Sequence, residues 1–172
     1  FSHTHIRSFG IDPLDALNAS LDFQLSWIRL GCYWNEIEQS PGAYDFSRLD
    51  PLVSWCQKNK KNVVLTVGMK APRWPEYYIP KWADTTTIPN NAILDPSDYR
   101  TLHASAIRFV SACVSHFKKA KIIRVWQVEN EPYDPSGPHN WALSPDWMHT
   151  EVEAVRSLDP KRKILVSFWA NE

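Results

Sequence analysis

The stretch Ile123-Arg124-Val125-Trp126-Gln127-Val128-Glu129-Asn130-Glu131-Pro132 is an apolar, β-branched run that ends in Asn-Glu-Pro. Read as a strand, it places Gln127, Glu129 and Glu131 on one face and Trp126, Val128 and Asn130 on the other. Three polar side chains on one face of a buried strand are costly unless that face lines a solvated or functional interior. Pro132 cannot continue a ladder, so the strand is expected to stop there with Glu131 at its mouth. A carboxyl held in such a place, close to a second carboxylate, has a raised proton affinity and can give up a proton and later take one back. Glu131 is therefore the candidate for general acid/base chemistry. The plainer alternative, a solvated loop glutamate, loses ground because the residue ends a strand within a βα series.

The elements that must position it are marked by their punctuation. Asp12-Pro13, Asp50-Pro51, Asp95-Pro96 and Ser144-Pro145 each set a capping side chain before a proline, the signal for a helix start. Helical patterns follow over Leu14 to Leu25, Leu52 to Lys60, Tyr99 to Lys119, and Asp146 to Leu158. Between them lie Trp27 to Gly31, Val63 to Gly68, Ile122 to Val128 and Ile164 to Phe168, short runs that read as buried parallel strands. Phe1-Ser2-His3 reads as the tail of a preceding strand. Joints from helix to strand are short, whereas Met69 to Leu94 and Asn130 to Leu143 are long and fall after strands. In α/β proteins that end of the sheet carries the site. Tyr33, Trp34, Trp74, Tyr77, Tyr78, Trp82, Tyr133 and Trp141 gather there.

A complete (β/α)8 barrel needs at least ~200 residues and typically ~250. With 172 residues, the order of elements predicts about the first half of a TIM barrel, from the end of strand 1 to strand 5. The whole of 1–172 is expected to be the N-terminal portion of a single catalytic domain. An open doubly wound sheet is the competitor, but no G-x-G-x-x-G or P-loop follows any strand.

Trp-Gln-Val-Glu-Asn-Glu-Pro resembles the fourth-strand signature of the clan of retaining glycoside hydrolases on (β/α)8 barrels, which includes cellulase-, xylanase- and β-galactosidase-like families. Trp27-Ile28-Arg29-Leu30-Gly31-Cys32-Tyr33-Trp34-Asn35-Glu36-Ile37-Glu38 with Pro41-Gly42-Ala43-Tyr44-Asp45-Phe46 is similar to that clan's second strand and loop. Val64 to Pro75 is similar to its third, which often carries Pro and Trp. The resemblance implies that Glu131 is the acid/base, that Asn130 contacts the sugar 2-hydroxyl beside the bond cut, and that Arg29 orients the nucleophilic carboxylate. Arg29 has an equal alternative, neutralising Glu129 inside the barrel. Trp34, Trp74 and Trp141 are candidate sugar platforms, each of which could equally be a packing residue; Tyr133 and His139 are further candidates to face substrate. The clan's nucleophile is a Glu ending the seventh strand. This chain stops after the fifth, and Glu172 does not match that position. The expected partners are an oligo- or polysaccharide and the C-terminal half of the barrel; alone, the 172 residues are expected to be inactive. No cofactor is implied.

Composition narrows the alternatives. Nineteen basic and 19 acidic side chains cancel, which removes the field that nucleic acid or an anionic membrane surface would need. No apolar run is long enough for a membrane span. Cys32, Cys56 and Cys113 are scattered without a C-x-x-C pair, arguing against a disulfide framework or structural zinc. Two readings stay open beside the hydrolase. One is a barrel that binds glycans without cutting them. The other is a metal-dependent barrel hydrolase using His3 and His5, although the later strands offer no imidazole to complete a ligand set. The chain opens at Phe1 with no Met and no leader pattern, so a segment upstream is expected and the compartment is not legible.

Overall fold

The computed structural model describes residues 1–83 and 85–168; Glu172 lies outside them. Four strands, numbered along the chain, form an all-parallel sheet in the order β1 (Trp27–Gly31), β2 (Asn62–Val67), β4 (Ile123–Val128) and β6 (Lys163–Leu165). Val63 pairs with Ile123 and Trp126 with Ile164, each pairing parallel as the βα pattern predicts. The register slips between Val63 and Val64, which face Ile123 and Val125, so Arg124 is an extra residue in β4. That bulge lets Ile123, Trp126 and Val128 all join the apolar core with Val63, Leu65 and Val67.

Helices α4 (Asp50–Lys58), α5 (Arg100–Phe117) and α6 (Pro145–Leu158) cover that face, burying Leu52, Phe109, Val110, Trp147 and Val155. The three cysteines are buried and unbridged, packing as small apolar groups. No helix among the described residues is long and apolar enough to cross a membrane. Among the described residues the four strands form an open parallel sheet, an arc of a (β/α)8 barrel rather than a closed one.

The helix-start signals resolve unequally. Asp12 caps α2 (Pro13–Ala19), accepting from the Leu14 and Asp15 amides, and Ser144 caps α6, accepting from Trp147 N at 3.1 Å. α2 is shorter than its pattern and runs on as a 3-10 turn over Ser20–Phe23. Asp50 is the first residue of α4 rather than its cap. Asp95 caps no helix: α5 begins five residues later, and the Asp95 carboxylate instead accepts from Ser97 N in a turn. At the N-terminus the expected strand tail is absent. The Phe1 ammonium donates to Arg29 O along the edge of β1, but Ser2 caps the short helix α1 (His3–Ser8).

The two long loops hold elements that the alternation did not reveal. β3 (Ile93–Leu94) lies in the first and β5 (Ala142–Leu143) in the second, and they pair in parallel. Tyr77 donates its hydroxyl to Trp141 O at 2.8 Å, and Trp141 Nε1 donates to Pro89 O at 2.8 Å. The rim above β2 and β4 is thus one hydrogen-bonded unit.

Because Ser144 satisfies a free amide of the helix that backs β4, Ser144→Ala is expected to lower stability by about 1 kcal/mol. Asp95→Ala, by contrast, should change it by less than half as much. Urea titration of the two variants checks this ranking.

Candidate active site

The ends of β2 and β4 are locked together through their backbones. Beyond β4, Glu129 N donates to Val67 O at 2.9 Å and Asn130 N to Lys70 O at 2.8 Å. In return the buried Glu129 carboxylate accepts from Met69 N at 2.8 Å and Lys70 N at 2.5 Å. This packing requires Gly68, which sits at φ +116 and where any Cβ would collide with the Glu129 carboxyl. Lys70, fully buried, then sends its ammonium to Glu131 O at 2.6 Å and Asp134 O at 2.7 Å. Glu129 and Glu131 adopt φ of +56 and +48, left-handed values that cost a non-glycine residue about 1–3 kcal/mol and persist only where surroundings hold them.

Those two left-handed residues overturn the simple alternation. Glu129 does not share a face with Gln127; it turns toward Glu151 of α6, and Asn130 takes its place beside Gln127. Gln127 accepts from Thr66 Oγ1 at 3.3 Å and Arg29 Nη1 at 3.4 Å, and donates to Asn130 Oδ1 at 3.1 Å. Arg29 also reaches Asn130 Oδ1 at 3.5 Å. Of the two uses foreseen for Arg29, neutralising Glu129 is the one that fails, because that carboxylate is taken by amides on the other side. Asn130 Nδ2 donates to Glu131 Oε2 at 3.3 Å, and Ser167 Oγ accepts from Glu131 N at 3.0 Å. A polar chain therefore runs from Arg29 through Gln127 and Asn130 to the half-buried Glu131.

The aromatic candidates divide. Trp34 is fully buried, stacked on Phe109 with centroids 5.4 Å apart and edge-on to Trp82, while its Nε1 donates to Glu38 Oε2 at 2.6 Å. Glu38 also receives Gly42 N at 2.7 Å. The segment from Trp34 to Gly42 is thus a folded loop, and Trp34, a candidate platform, packs in the core instead. Trp141 is likewise buried, edge-on to Tyr77 and with His139 stacked on it at 4.6 Å. His139 stays exposed, stacked on that ring with Nδ1 3.0 Å from Asn90 Oδ1. Trp74, by contrast, is 63 % exposed, and Tyr133 is 41 % exposed beside Phe168, centroids 5.7 Å apart.

The metal alternative loses its geometry. His3 and His5 lie on α1, not at a strand end. His3 Nε2 meets Glu36 at 3.4 Å, whereas His5 Nδ1 meets Ser2 Oγ at 3.3 Å. Among the described residues, no group of three or more His, Cys, Asp or Glu side chains is placed to hold a metal ion. Lys70, Glu151 and Ser167 were missed by sequence reasoning. The only signal for Lys70 was a lone lysine between a strand-ending glycine and a proline.

Burial pushes the Glu129 carboxyl up to about 7 and the adjoining Glu151 well above the carboxylate range. Two backbone amides favour charge on Glu129, whereas Glu151 has only Trp147 Nε1, at 3.1 Å, so Glu151 is the carboxyl that keeps its proton. The folded protein then holds a proton that an unfolded chain releases above its ordinary carboxylate range. Stability should therefore fall as pH rises from about 5 to 8. Glu151→Gln keeps an acceptor for Trp147 and a donor for Glu129 without titrating. Its urea midpoint should vary less over that range than the wild type's, and equal slopes would count against a proton held on Glu151.

Comparison with known proteins gives the fold and the family. The β-galactosidase BgaB of Geobacillus sp. (strain Y412MC61) is 25 % identical over 113 residues, covering 60 % of this chain and 16 % of the relative. A glycoside hydrolase of subfamily GH5_18 from Streptomyces cattleya, solved with GlcNAc, superposes with a TM-score of 0.68 at 18 % identity, over 90 % of this chain and 39 % of that one. The exo-β-1,4-mannosidase Op5Man5 from Opitutaceae bacterium strain TAV5 gives a TM-score of 0.66 at 16 % identity, over 86 % and 26 %. The chain thus spans only a minor part of each. The model of the cellulase family matches residues 14–172, and the chain belongs to that family, glycosyl hydrolase family 5.

Proposed function

We propose that this chain supplies the acid/base half of a retaining glycoside hydrolase acting on β-linked oligo- or polysaccharide. The observation that carries the reading is Glu131 itself. Its carboxylate is addressed by Asn130 Nδ2, its amide by Ser167 and its carbonyl by Lys70, at the strand end where barrel sites form. Residues 1–172 are then the N-terminal portion of one catalytic domain, and the second carboxyl comes from outside this chain, about 5–5.5 Å from Glu131. Alone, the 172 residues hold half of the pair and are inactive.

In the first step the second carboxylate bonds to the anomeric carbon while Glu131 protonates the departing glycosidic oxygen. In the second, Glu131 removes a proton from water as that water displaces the enzyme carboxylate. Asn130 meets the sugar 2-hydroxyl, with its amide oriented by Arg29 and Gln127. Trp74 and Tyr133 are the exposed faces on which sugar rings stack.

Glu131→Gln in the full-length protein should slow hydrolysis of alkyl glycosides by about 10²–10⁴-fold. Activated aryl glycosides need little protonation, so they should lose far less in the first step and accumulate a covalent intermediate visible by mass spectrometry. Glu129→Gln should lower stability without that dependence on the leaving group. Alkyl glycoside hydrolysis at the normal rate in Glu131→Gln would sink the assignment. A wild-type protein that binds glycans yet hydrolyses none would instead favour a lectin-like barrel.

A further inference from the structure

Lys70 is the most heavily committed side chain near the candidate site, and no step of the proposed reaction uses it. Its backbone amide donates to Glu129 Oε2 and its carbonyl accepts from Asn130 N at 2.8 Å. Its ammonium donates to Glu131 O and Asp134 O at 2.6 and 2.7 Å and lies 3.7 Å from a Glu76 carboxylate oxygen. One residue therefore holds Glu129, Asn130, Glu131 and Asp134 in succession. A buried ammonium carries a large desolvation penalty, and burial pulls its proton affinity down against the carboxylates of Glu76, Asp134, Glu129 and Glu131. Stapling a loop does not call for a cation, since water or an amide side chain would satisfy two carbonyls. A fixed charge is useful where a carbonyl must be held rigidly against a backbone that prefers to relax, and Glu131 is such a place, at φ +48.

We propose that Lys70 is a positioning residue for proton transfer: by gripping the Glu131 carbonyl it fixes the left-handed backbone that aims the Glu131 carboxyl at the scissile oxygen. The proposal rests on the reading of Glu131 as the acid/base. Lys70 touches no substrate. It acts through the main chain of the residue that does, and Glu76 anchors it from the rim loop.

The test uses the full-length protein with alkyl and aryl β-glycosides of graded leaving groups. Lys70→Met should lower kcat on alkyl glycosides by about 10–100-fold, the loss that an ångström-scale misplacement of a reacting group produces. KM should stay within about twofold, and the most activated aryl glycosides should be nearly spared, because general-acid assistance matters least for them. Methylamine should restore part of the alkyl activity to Lys70→Ala. Uniform loss on all substrates, or wild-type dependence on the leaving group, overturns the proposal. Should Lys70→Met not fold, Glu76→Gln loosens the same ammonium from the half-buried rim and should give the same selective loss in smaller measure; wild-type kinetics there overturn it. A crystal structure separates this claim from the activity it rests on. If the wild type hydrolyses nothing, the proposed function falls. Lys70 is still judged by whether Glu131 leaves the left-handed region in the variant, and an unmoved Glu131 backbone refutes the inference.

Discussion

A carboxylate seated on a glycine backbone holds the rest of this molecule's working end in place. Glu129 can reach the amides of Met69 and Lys70 only because Gly68 offers no side chain and accepts a φ of +116. The Glu129 backbone must itself turn left-handed to bring its carboxylate there. That turn moves Asn130 to the side of Gln127 and Arg29, and a second left-handed residue follows at Glu131. In a site shut off from water, a carboxylate accepting two amide hydrogens is worth more than neutral bonds, and it offsets strained conformations at two positions either side of Asn130. The short parallel strands end, the chain reverses its handedness twice, and the reversal is secured by groups from the neighbouring strand's loop.

The tryptophans show where most of the aromatic surplus goes. Trp34, Trp126 and Trp147 are fully buried, and each indole N–H finds a carboxylate: Glu38, Asp159 and Glu151. Trp55 donates to Asn18, Trp82 to Glu38 O and Trp141 to Pro89 O. A buried indole needs such a partner, and for Trp34 and Trp147 that partner is itself a buried glutamate. Glu151 is therefore answerable both to Trp147 and to Glu129, and α6 is coupled to the end of β4 through one buried acid. Trp74 and Tyr133, by contrast, are among the described aromatic side chains that stay exposed.

Legibility in the sequence followed the range of the interaction. Strand and helix alternation, parallel pairing and the caps at Asp12 and Ser144 are local signals, and they read through. Asp95 misled because an Asx turn and a helix cap use the same side chain and the same amide spacing; only the chain beyond distinguishes them. β3 and β5 are two residues each and exist because their loops meet, which no periodicity announces. Trp34 carried the right motif with the wrong use, since W-x-x-x-E closes a loop through Glu38 rather than offering a ring to solvent. The end of β4 at Asn130 and Glu131 was legible because proline ends a strand visibly. Lys70 was not, because its partners are carbonyl oxygens some sixty residues away, and a backbone acceptor leaves no trace in residue type.

Glu129 and Glu131 make the point most sharply, being identical residues two apart on what strict alternation would call one face. Handedness of the backbone separates them. The first is driven inward against Glu151, into a place where water cannot reach and where its charge is fixed by two amides. The second is left half-buried, with an amide side chain on its carboxylate and the open side of the sheet before it. A group that hands over a proton, the role proposed for Glu131, needs access and a preset direction; a group that holds a strand end needs burial and permanent bonds. The difference between the two glutamates of Glu-Asn-Glu is thus set by the positive φ angles at Glu129 and Glu131 rather than by the chemistry of the side chain.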